Sequence, residues 1–422
     1  MDLKKEIKLS DLLPGRKKDT EAEEQRAEKP KKERKPLFGR KPEADQPPME
    51  HRRKADKAPK TKRHTSVGRK KKLVGLKVGA SQIAAAQVVN NGGAQVMQVA
   101  REDLERGVVV GGELRDPDTL AAALRTFFRK NKLSRQNVRL GISNNRIGVR
   151  MFEIGGIDDT KQLANAIRYR AQEVLPIPLE EAVLDYHILG QDTDGEGHTK
   201  HRVLLVVAYR DLVDRYMAAC KKAGIRLAGI DLEAFAILRA LAPESEGATE
   251  AGNSALVVVS VGHDRTTFAV SDGKACQFTR VLDWGGASLN AGIARALDLA
   301  PSEAEPIKLS LSLAEPSIPA GLTSKQAEKV REAVVQALHT FARELVSSLQ
   351  FYQSQPGSLG IGEIVLTGGT AHLPGFADEL GKLIGVRVRV GDPLANVKVG
   401  KKVDREQPLG SLAAAIGLGI ES

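Results

Sequence analysis

Apolar residues along the chain follow two patterns, short strand-length runs and longer stretches with helical spacing. The strand-length runs of the first and last parts are Leu73–Val78, Ile83–Asn90, Gln95–Arg101, Val138–Ser143 and Ile364–Thr367. The helical stretches of the same parts are Pro117–Lys130, Ser288–Leu299 and Ser324–Ser354. Because strands and helices alternate over 422 residues, the pattern predicts an α/β protein of two or three domains.

A middle block interrupts this alternation. Its predicted order is strand, helix, strand, strand, helix, strand, from Val149–Ile154 through the helices Thr160–Val174 and Leu212–Ala223 to Arg226–Leu232. This order predicts a small α+β module inserted into a larger α/β framework.

Two distant segments share one pattern. "VGLKVGASQIAAAQV" near the first strand and "LVVVSVGHDRTTFAVSDGKACQFTRVL" near residue 256 both show an apolar strand, a glycine turn and further apolar strands. The repeat predicts two similar lobes that face each other across a cleft.

The basic charge is confined to the N-terminal tail. Residues 1–72 contain 25 Lys and Arg against 13 Asp and Glu, so they carry +12 and the other 350 residues carry −1 of the total +11. Such a segment buries too little apolar surface to offset its chain entropy, and it is predicted to be disordered. Nucleic acid is therefore not expected as a partner of the folded part.

One short motif stands out in the tail, "KKEIKLSDLLPGRKK". Its candidate docking residues are Ile7, Leu9, Leu12, Leu13 and Pro14. Three interpretations stay open: a linear motif that docks in a groove, a basic turn that touches anionic lipid, and an unstructured tail. The basic run from Arg52 to Lys72 is interpreted as a solvated linker, with lipid or RNA attraction as the alternative.

The remaining composition indicates a cytoplasmic protein. Cys220 and Cys276 lie in unrelated surroundings without metal-ligand spacing, and we expect two buried, reduced thiols. The N-terminus lacks the apolar core of a signal peptide. No apolar run approaches the roughly 20 residues of a membrane-spanning helix.

Three glycine turns are candidates for phosphate binding, because glycine lets a backbone approach a ligand and present its N–H groups. They are Gly79-Ala80-Ser81, the stretch from Gly262 through Asp264 to Thr266 and Thr267, and Gly368-Gly369. Each turn alone is weak evidence, whereas all three in this order are more specific. Lys77, just before the first turn, is a cation where metal-dependent phosphate chemistry needs a carboxylate.

With these turns in this order, the chain resembles the PilM-type pilus assembly proteins, which are relatives of FtsA in the actin-like ATPase superfamily. The resemblance covers residues 73–422 and is carried by "EVLPIPLEEAVLDYHIL", "IVLTGGTAHLPGF" and "LGSLAAAIGLGI". It implies a two-lobed actin-like fold, that is, a duplicated ribonuclease H-like α/β fold, with an inserted α+β subdomain of the SHS2 type. The implied first lobe is 73–148 with 226–255, rejoined by a closing helix at 409–420; the insertion is 149–225 and the second lobe is 256–408.

The resemblance also implies partners. We expect a scaffold of type IV pilus or type II secretion machinery on the cytoplasmic face of the inner membrane. It would bind the N-terminal peptide of PilN in a groove beside the insertion. Self-association into a ring or filament, contact with pilus motor ATPases and peripheral contact with anionic membrane are further expectations. The tail motif loosely resembles the PilN peptide; one hypothesis is that it occupies the groove until PilN displaces it, and the competing hypothesis is that it anchors the chain to the membrane.

The sequence departs from the family pattern where the chemistry would lie. The resemblance implies that the family usually has Asp at the positions of Lys77 and Ser260, and often Lys at the position of Ala84. Loss of both carboxylates removes the anchors of Mg²⁺, and Lys77 adds repulsion. ATP therefore remains a candidate ligand, held directly by Lys77 with little hydrolysis, and Mg²⁺ is not favoured. Asp264 is interpreted as a surface turn residue in preference to a replacement carboxylate.

No catalytic residue and no metal ligand is assigned. His187 is interpreted as a half-buried strand residue, and His263 and His372 as solvent-facing turn residues. The alternatives to a nucleotide-binding scaffold are the absence of nucleotide, an active ATPase that signals to pilus motors, and an FtsA-like membrane adaptor of cell division.

Overall fold

The computed structural model describes residues 71–157, 159–174, 178–193, 199–242, 254–315 and 318–421. Most of the predicted tail, with its motif from Ile7 to Pro14, lies outside the described residues, as does the stretch 175–177. The strands in chain order are β1 (Lys71–Val78), β2 (Gln82–Asn90), β3 (Ala94–Asp103), β4 (Val109–Val110), β5 (Glu113–Leu114), β6 (Val138–Ile142), β7 (Gly148–Gly155), β8 (Ala182–Thr193), β9 (Thr199–Tyr209), β10 (Leu227–Leu232), β11 (Ser254–Val261), β12 (Thr266–Ser271), β13 (Cys276–Leu282), β14 (Gly360–Thr367), β15 (Arg387–Val390) and β16 (Lys398–Val399).

The described helices flank these strands. They are α1 (Pro117–Lys130), α2 (Thr160–Val174), α3 (Arg210–Lys222), α4 (Glu233–Leu241), α5 (Gly286–Leu297), α6 (Pro301–Ser310), α7 (Ser324–Gln353), α8 (Phe376–Ile384) and α9 (Ala413–Gly419).

Two sheets repeat the same strand arrangement. The first has the order β10-β6-β1-β2-β3-β16, and the second has the order β13-β12-β11-β14-β15. In each, a leading strand pairs antiparallel with the next strand of its hairpin and parallel with a later strand on its other side. The duplication predicted from the two glycine-turn segments is therefore present in the topology of the sheets.

A three-stranded sheet, β7-β9-β8, forms the inserted module. Val203, Leu205 and Val207 of β9 pack with Leu163 and Ile167 of α2 on one face of this sheet. The alternate residues of β9 join the core of the first sheet. This period of two is what a strand with two buried faces requires.

Helix α3 follows the inserted sheet but is not part of the core that this sheet forms with α2. Leu212, Val213, Tyr216 and Cys220 are buried in the same cluster as the first sheet and α1. The second helix of the predicted inserted block therefore packs on the first lobe. It forms a direct link between the insertion and that lobe.

Helix α7 shows why sequence periodicity found the long helix. Thr323 caps it, accepting from the Gln326 N–H while the Gln326 side chain accepts from the Thr323 N–H. Val334, Leu338 and Phe341 recur at helical spacing and are fully buried against the second sheet. Each such side chain contributes about 1.5–3 kcal/mol by leaving water.

Helix α9 closes the first lobe and packs so closely against β1 that one position of the strand must be glycine. A Cβ at Gly75 of β1 would lie 2.0 Å from the Ala415 carbonyl oxygen, so only glycine allows the helix to approach the strand. The lobe boundaries stay a prediction, with one difference in topology. Strand β16, at 398–399, pairs with β3 of the first sheet, although the sequence placed it in the second lobe.

Candidate functional site: the strand ends of the two sheets

The second and third glycine turns lie side by side. They follow β11 and β14, which are parallel neighbours with Ser260 opposite Thr367. The Thr370 hydroxyl donates to the Gly262 carbonyl oxygen at 3.2 Å. Gly368 has φ +94°, and a Cβ there would lie 2.2 Å from the Val261 carbonyl oxygen, so this position requires glycine. Gly369 next to it is exposed and faces open space.

The first turn follows β1 at the corresponding edge of the first sheet. The Gly79 N–H donates to the Gln82 carbonyl at 2.9 Å, and the Ser81 carbonyl accepts from the Leu104 N–H. Within the described residues, no hydrogen bond joins Gly79, Ala80 or Ser81 to the other two turns. Hydrogen bonds between the two lobes are made instead by residues that lie next to these turns.

Lys77 forms an ion pair that the sequence did not reveal. Its Nζ lies 3.3 Å from Oε2 of Glu233, and the two side chains are 16% and 8% exposed. Glu233 is the first residue of α4 and comes directly after the buried strand β10. The signal available in the sequence was this acidic residue between a buried strand and a helix. Its partner, 156 positions earlier, could not be assigned without the fold.

The other strand-end positions carry hydroxyl groups. Ser260 is the last residue but one of β11 and is 4% exposed. The hydroxyls of Ser143, after β6, and Thr267, on β12, lie 2.8 Å apart and join the two lobes. Ala84 is 1% exposed and lies opposite Lys77 on β2. Across the described part of the chain, no group of three or more His, Cys, Asp or Glu side chains could hold a metal ion.

Two residues of the second turn have roles different from those expected. Asp264 is half-buried, and its Oδ2 accepts from the Gly111 N–H of the first lobe at 2.8 Å, so it is not the surface turn residue that the sequence favoured. Thr266 is fully buried, and its hydroxyl donates to the Trp284 carbonyl at 2.8 Å. Its side chain is therefore unavailable to a ligand, although it was predicted to bind nucleotide.

A polar cluster next to the second turn was not predicted from the sequence. Lys308 is 7% exposed, and its ammonium donates to Oε1 of Glu305 at 3.0 Å and points at the Gly286 carbonyl. Glu305 also accepts from Nδ2 of Asn290, whose own Oδ1 is buried and has no partner. The Gly286 N–H donates to the Gly262 carbonyl, which places this cluster beside the turn. The unpartnered oxygen of Asn290 could accept from a donor on a ligand.

The histidines differ from their predicted roles in part. His187 is half-buried on β8, as expected. His263 is half-buried rather than solvent-facing, and burial lowers its pKa. Nε2 of His372 accepts from the Gly410 N–H at 3.0 Å and ties the third turn to the closing segment. His372 is exposed, as expected, but its partial burial lowers its pKa, with a smaller contribution from Arg101.

The two cysteines are chemically inert. Both thiols are free and buried, as predicted. Burial raises the pKa of Cys220 and of Cys276 to about 12 in each case. Neither thiol is therefore a nucleophile at neutral pH.

The family model described as "Type IV pilus assembly protein PilM" matches residues 75–422. The chain belongs to the PilM family. This PilM-family chain is also 25% identical over 365 residues to the cell division protein FtsA of Escherichia coli (strain K12), covering 77% of this chain and 85% of that protein. It is 24% identical over 355 residues to FtsA of Streptococcus pneumoniae (serotype 2, strain D39), covering 76% and 75% of the two chains.

A solved structure shows the same fold. The structure titled "PilM-PilN type IV pilus biogenesis complex" aligns with a TM-score of 0.70 at 23% identity, covering 83% of this chain and 98% of that chain. The actin-like two-lobed α/β fold with an inserted module, predicted for this PilM-family chain, is confirmed. In the part of the chain that is described, no helix is both long and apolar enough to span a membrane.

Proposed function

We propose that this chain is a scaffold of type IV pilus assembly that binds the N-terminal peptide of PilN and holds a nucleotide with little hydrolysis. We place it at the cytoplasmic face of the inner membrane, where it would contact itself and the pilus motors. The single observation that carries the nucleotide part is the Lys77–Glu233 ion pair at the end of β1.

Mg²⁺ does not fit the strand ends. Magnesium binds through carboxylate oxygens and waters in near-octahedral geometry. Here the ammonium of Lys77 stands at the end of β1, and the ends of β6, β11 and β12 carry hydroxyls. The carboxylates described near these ends are engaged: Glu233 pairs with Lys77, Asp231 on β10 pairs with Arg239, and Asp264 accepts from the Gly111 N–H. No step of the proposed function therefore passes through a metal.

A nucleotide does fit the residues present. Gly369 offers open space at the third turn, and Asn290 offers a buried acceptor without a partner. The Lys77 ammonium has three N–H donors, and Glu233 occupies one direction, so the others could meet phosphate oxygens. Bound ATP would bring phosphoanhydride chemistry to the site. The described residues would hold its charge without supplying a free carboxylate to activate water.

The peptide part rests on the family and on the inserted module. The solved relative with the same fold is titled as a PilM–PilN complex. In this chain the inserted sheet has two edge strands, β7 and β8, and side chains next to α2 that are only partly buried, among them Ile154, Leu184 and Ile188. Tyr169 of α2 is 67% exposed. An extended peptide can add to such an edge and place apolar side chains against such a helix.

The test is a pair of measurements on the full chain. Calorimetry with a synthetic N-terminal PilN peptide should show saturable binding, weakened about tenfold in Tyr169→Ala through loss of aromatic contact area. Phe351→Ala, which removes an exposed aromatic from α7 (56% against 67% for Tyr169), is the matched control and should bind normally. Phosphate release from ATP should stay at the level of the buffer blank. Binding of the tubulin-like cell-division protein that an FtsA-like adaptor recruits, in place of PilN, would reject the pilus assignment in favour of an FtsA-like role.

A further inference from the structure

The β4–β5 hairpin places two consecutive glycines, Gly111 and Gly112, between the two lobes. Both have positive φ, +63° and +72°. A Cβ at Gly111 would lie 2.4 Å from Nη2 of Arg265, and one at Gly112 would lie 2.1 Å from the Ser143 carbonyl oxygen. We call Gly111 and Gly112 the hairpin tip. The positive φ favours glycine at both positions, and at Gly112 the Ser143 backbone leaves no space for a Cβ; at Gly111 a Cβ would meet only the movable end of the Arg265 side chain.

On its second-lobe side, the tip contacts the second glycine turn, residues 262–267, which we call the phosphate turn. The Gly111 N–H donates to Oδ2 of Asp264 at 2.8 Å, while its carbonyl accepts from Nδ2 of Asn144, also at 2.8 Å. Asn144 is 1% exposed. Asp264 belongs to the turn in which the Gly262 N–H donates to the Arg265 carbonyl. A displacement of the tip must therefore move the turn or break a partly buried charged hydrogen bond.

On its first-lobe side, the tip contacts helix α3. The hydroxyl of Tyr216, which is 3% exposed, donates to the Gly112 carbonyl at 3.2 Å. The guanidinium of Arg215 donates to the Leu114 carbonyl at 3.4 Å. Burial raises the pKa of Tyr216, with Glu233 and Asp264 adding to the effect, so its hydroxyl stays protonated and remains a donor.

Helix α3 is in turn fixed to the inserted sheet. Arg210, its first residue, donates to the Ala182 carbonyl at 2.8 Å and to the Glu180 carbonyl at 3.1 Å, which ties it to the start of β8. The guanidinium of Arg146 lies 3.8 Å above the ring of Tyr209 at the end of β9. An unbroken series of contacts thus joins the start of β8 to the turn at Gly262.

We propose that the hairpin tip couples the inserted module to the phosphate turn, so that peptide bound at the module and nucleoside triphosphate bound at the turn change each other's affinity. The ligand part of this inference rests on the proposed function. The mechanical part, from α3 through the tip to the turn, does not. Coupling of two ligands is reciprocal by linkage. The glycine pair is the element through which it would act, because it is hydrogen-bonded to Asp264 on one side and to Tyr216 on the other, so a shift on one side is passed to the other.

The ligand-free protein tests the mechanical part. Amide hydrogen exchange should accelerate about threefold or more over residues 262–267 in Tyr216→Phe, although the lost hydrogen bond lies on the far side of the tip. Tyr352→Phe is the matched control, since it removes a hydroxyl that accepts from the Leu359 N–H elsewhere in the second lobe. The effects of Tyr216→Phe and Asp264→Ala should not multiply when combined. Acceleration confined to α3, or effects that multiply, would overturn the proposal.

Calorimetry on the same variants tests the ligand part. In the unmodified chain, saturating PilN peptide should change the dissociation constant for ATP about fivefold or more, and Tyr216→Phe should reduce the change to below about twofold. Normal binding of both ligands with no mutual effect would overturn the coupling and leave the proposed function standing. Absence of either binding event would reject the proposed function and the ligand part together. The exchange experiment would then still decide the mechanical part.

Discussion

The Lys77–Glu233 ion pair makes a quantitative prediction about stability. Lys77→Met leaves the Glu233 carboxylate, 8% exposed, without its cation. Breaking a buried pair by removing one partner costs about 3–5 kcal/mol. Lys77 is 16% exposed, and the N-terminus of α4 favours the remaining anion by about 0.3–1 kcal/mol. We therefore expect a loss of about 2–4 kcal/mol in the free energy of unfolding.

The reciprocal variant and the double variant separate the pair from its environment. Glu233→Gln should cost less, about 1–2 kcal/mol, because the long lysine side chain can reach water while its apolar stem stays packed. Lys77→Met combined with Glu233→Gln removes both charges and should lie within about 1 kcal/mol of the unmodified chain. The double-mutant cycle should accordingly give a coupling of at least about 2 kcal/mol.

Urea denaturation followed by circular dichroism measures these differences. Lys222→Met, which breaks the exposed pair with Asp118, is the matched control and should change stability by less than about 0.5 kcal/mol. A change below about 0.5 kcal/mol in Lys77→Met as well, or single-variant losses that simply add, would show that the buried pair does not form.

Three further predictions concern the second lobe. Gly368→Ala should lower the free energy of unfolding by about 3 kcal/mol or more, because φ is +94° and the Cβ would meet the Val261 carbonyl. Gly369→Ala, with open space around it, should change it by less than about 1 kcal/mol in the same urea assay. Stability should rise with pH from below 6 towards 7, because partial burial lowers the folded-state pKa of His372 and the unfolded chain therefore binds the extra proton. His372→Gln should flatten this dependence of stability on pH, and an unchanged slope would contradict the hydrogen bond from Gly410. Trp284, the sole tryptophan of the chain, is 4% exposed, and its ring is stacked 4.2 Å from that of Phe341. Its fluorescence should therefore be blue-shifted in the native state and move to the red on unfolding. Native-state emission at the wavelength of a solvent-exposed tryptophan would contradict this packing.

Sequence reasoning succeeded where local pattern sets structure. The hairpins after Lys77 and Ser260 were predicted because an apolar strand, a glycine turn and a second apolar strand form a short-range signal. The capped helix beginning at Ser324 was predicted for the same reason. The duplicated sheet order followed from finding the same signal twice.

Sequence reasoning failed where a polar side chain takes its partner from a distant segment. Glu233 and Lys77 meet only because β10 and β1 flank β6 in one sheet. Asp264 meets Gly111 only because the β4–β5 hairpin reaches the second lobe. Asn290, Glu305 and Lys308 lie on two helices whose packing carries no periodic signal for polar contacts. Such partners become visible only once tertiary structure brings the segments together.

The most direct test of the central claim is calorimetric titration of ATP into the full chain with excess Mg²⁺ and again with a chelator. A Lys77–Glu233 pair in place of metal anchors predicts dissociation constants that agree within about threefold, because no part of the binding energy passes through the metal. Binding at least tenfold tighter with Mg²⁺, or no binding under either condition, would contradict the account.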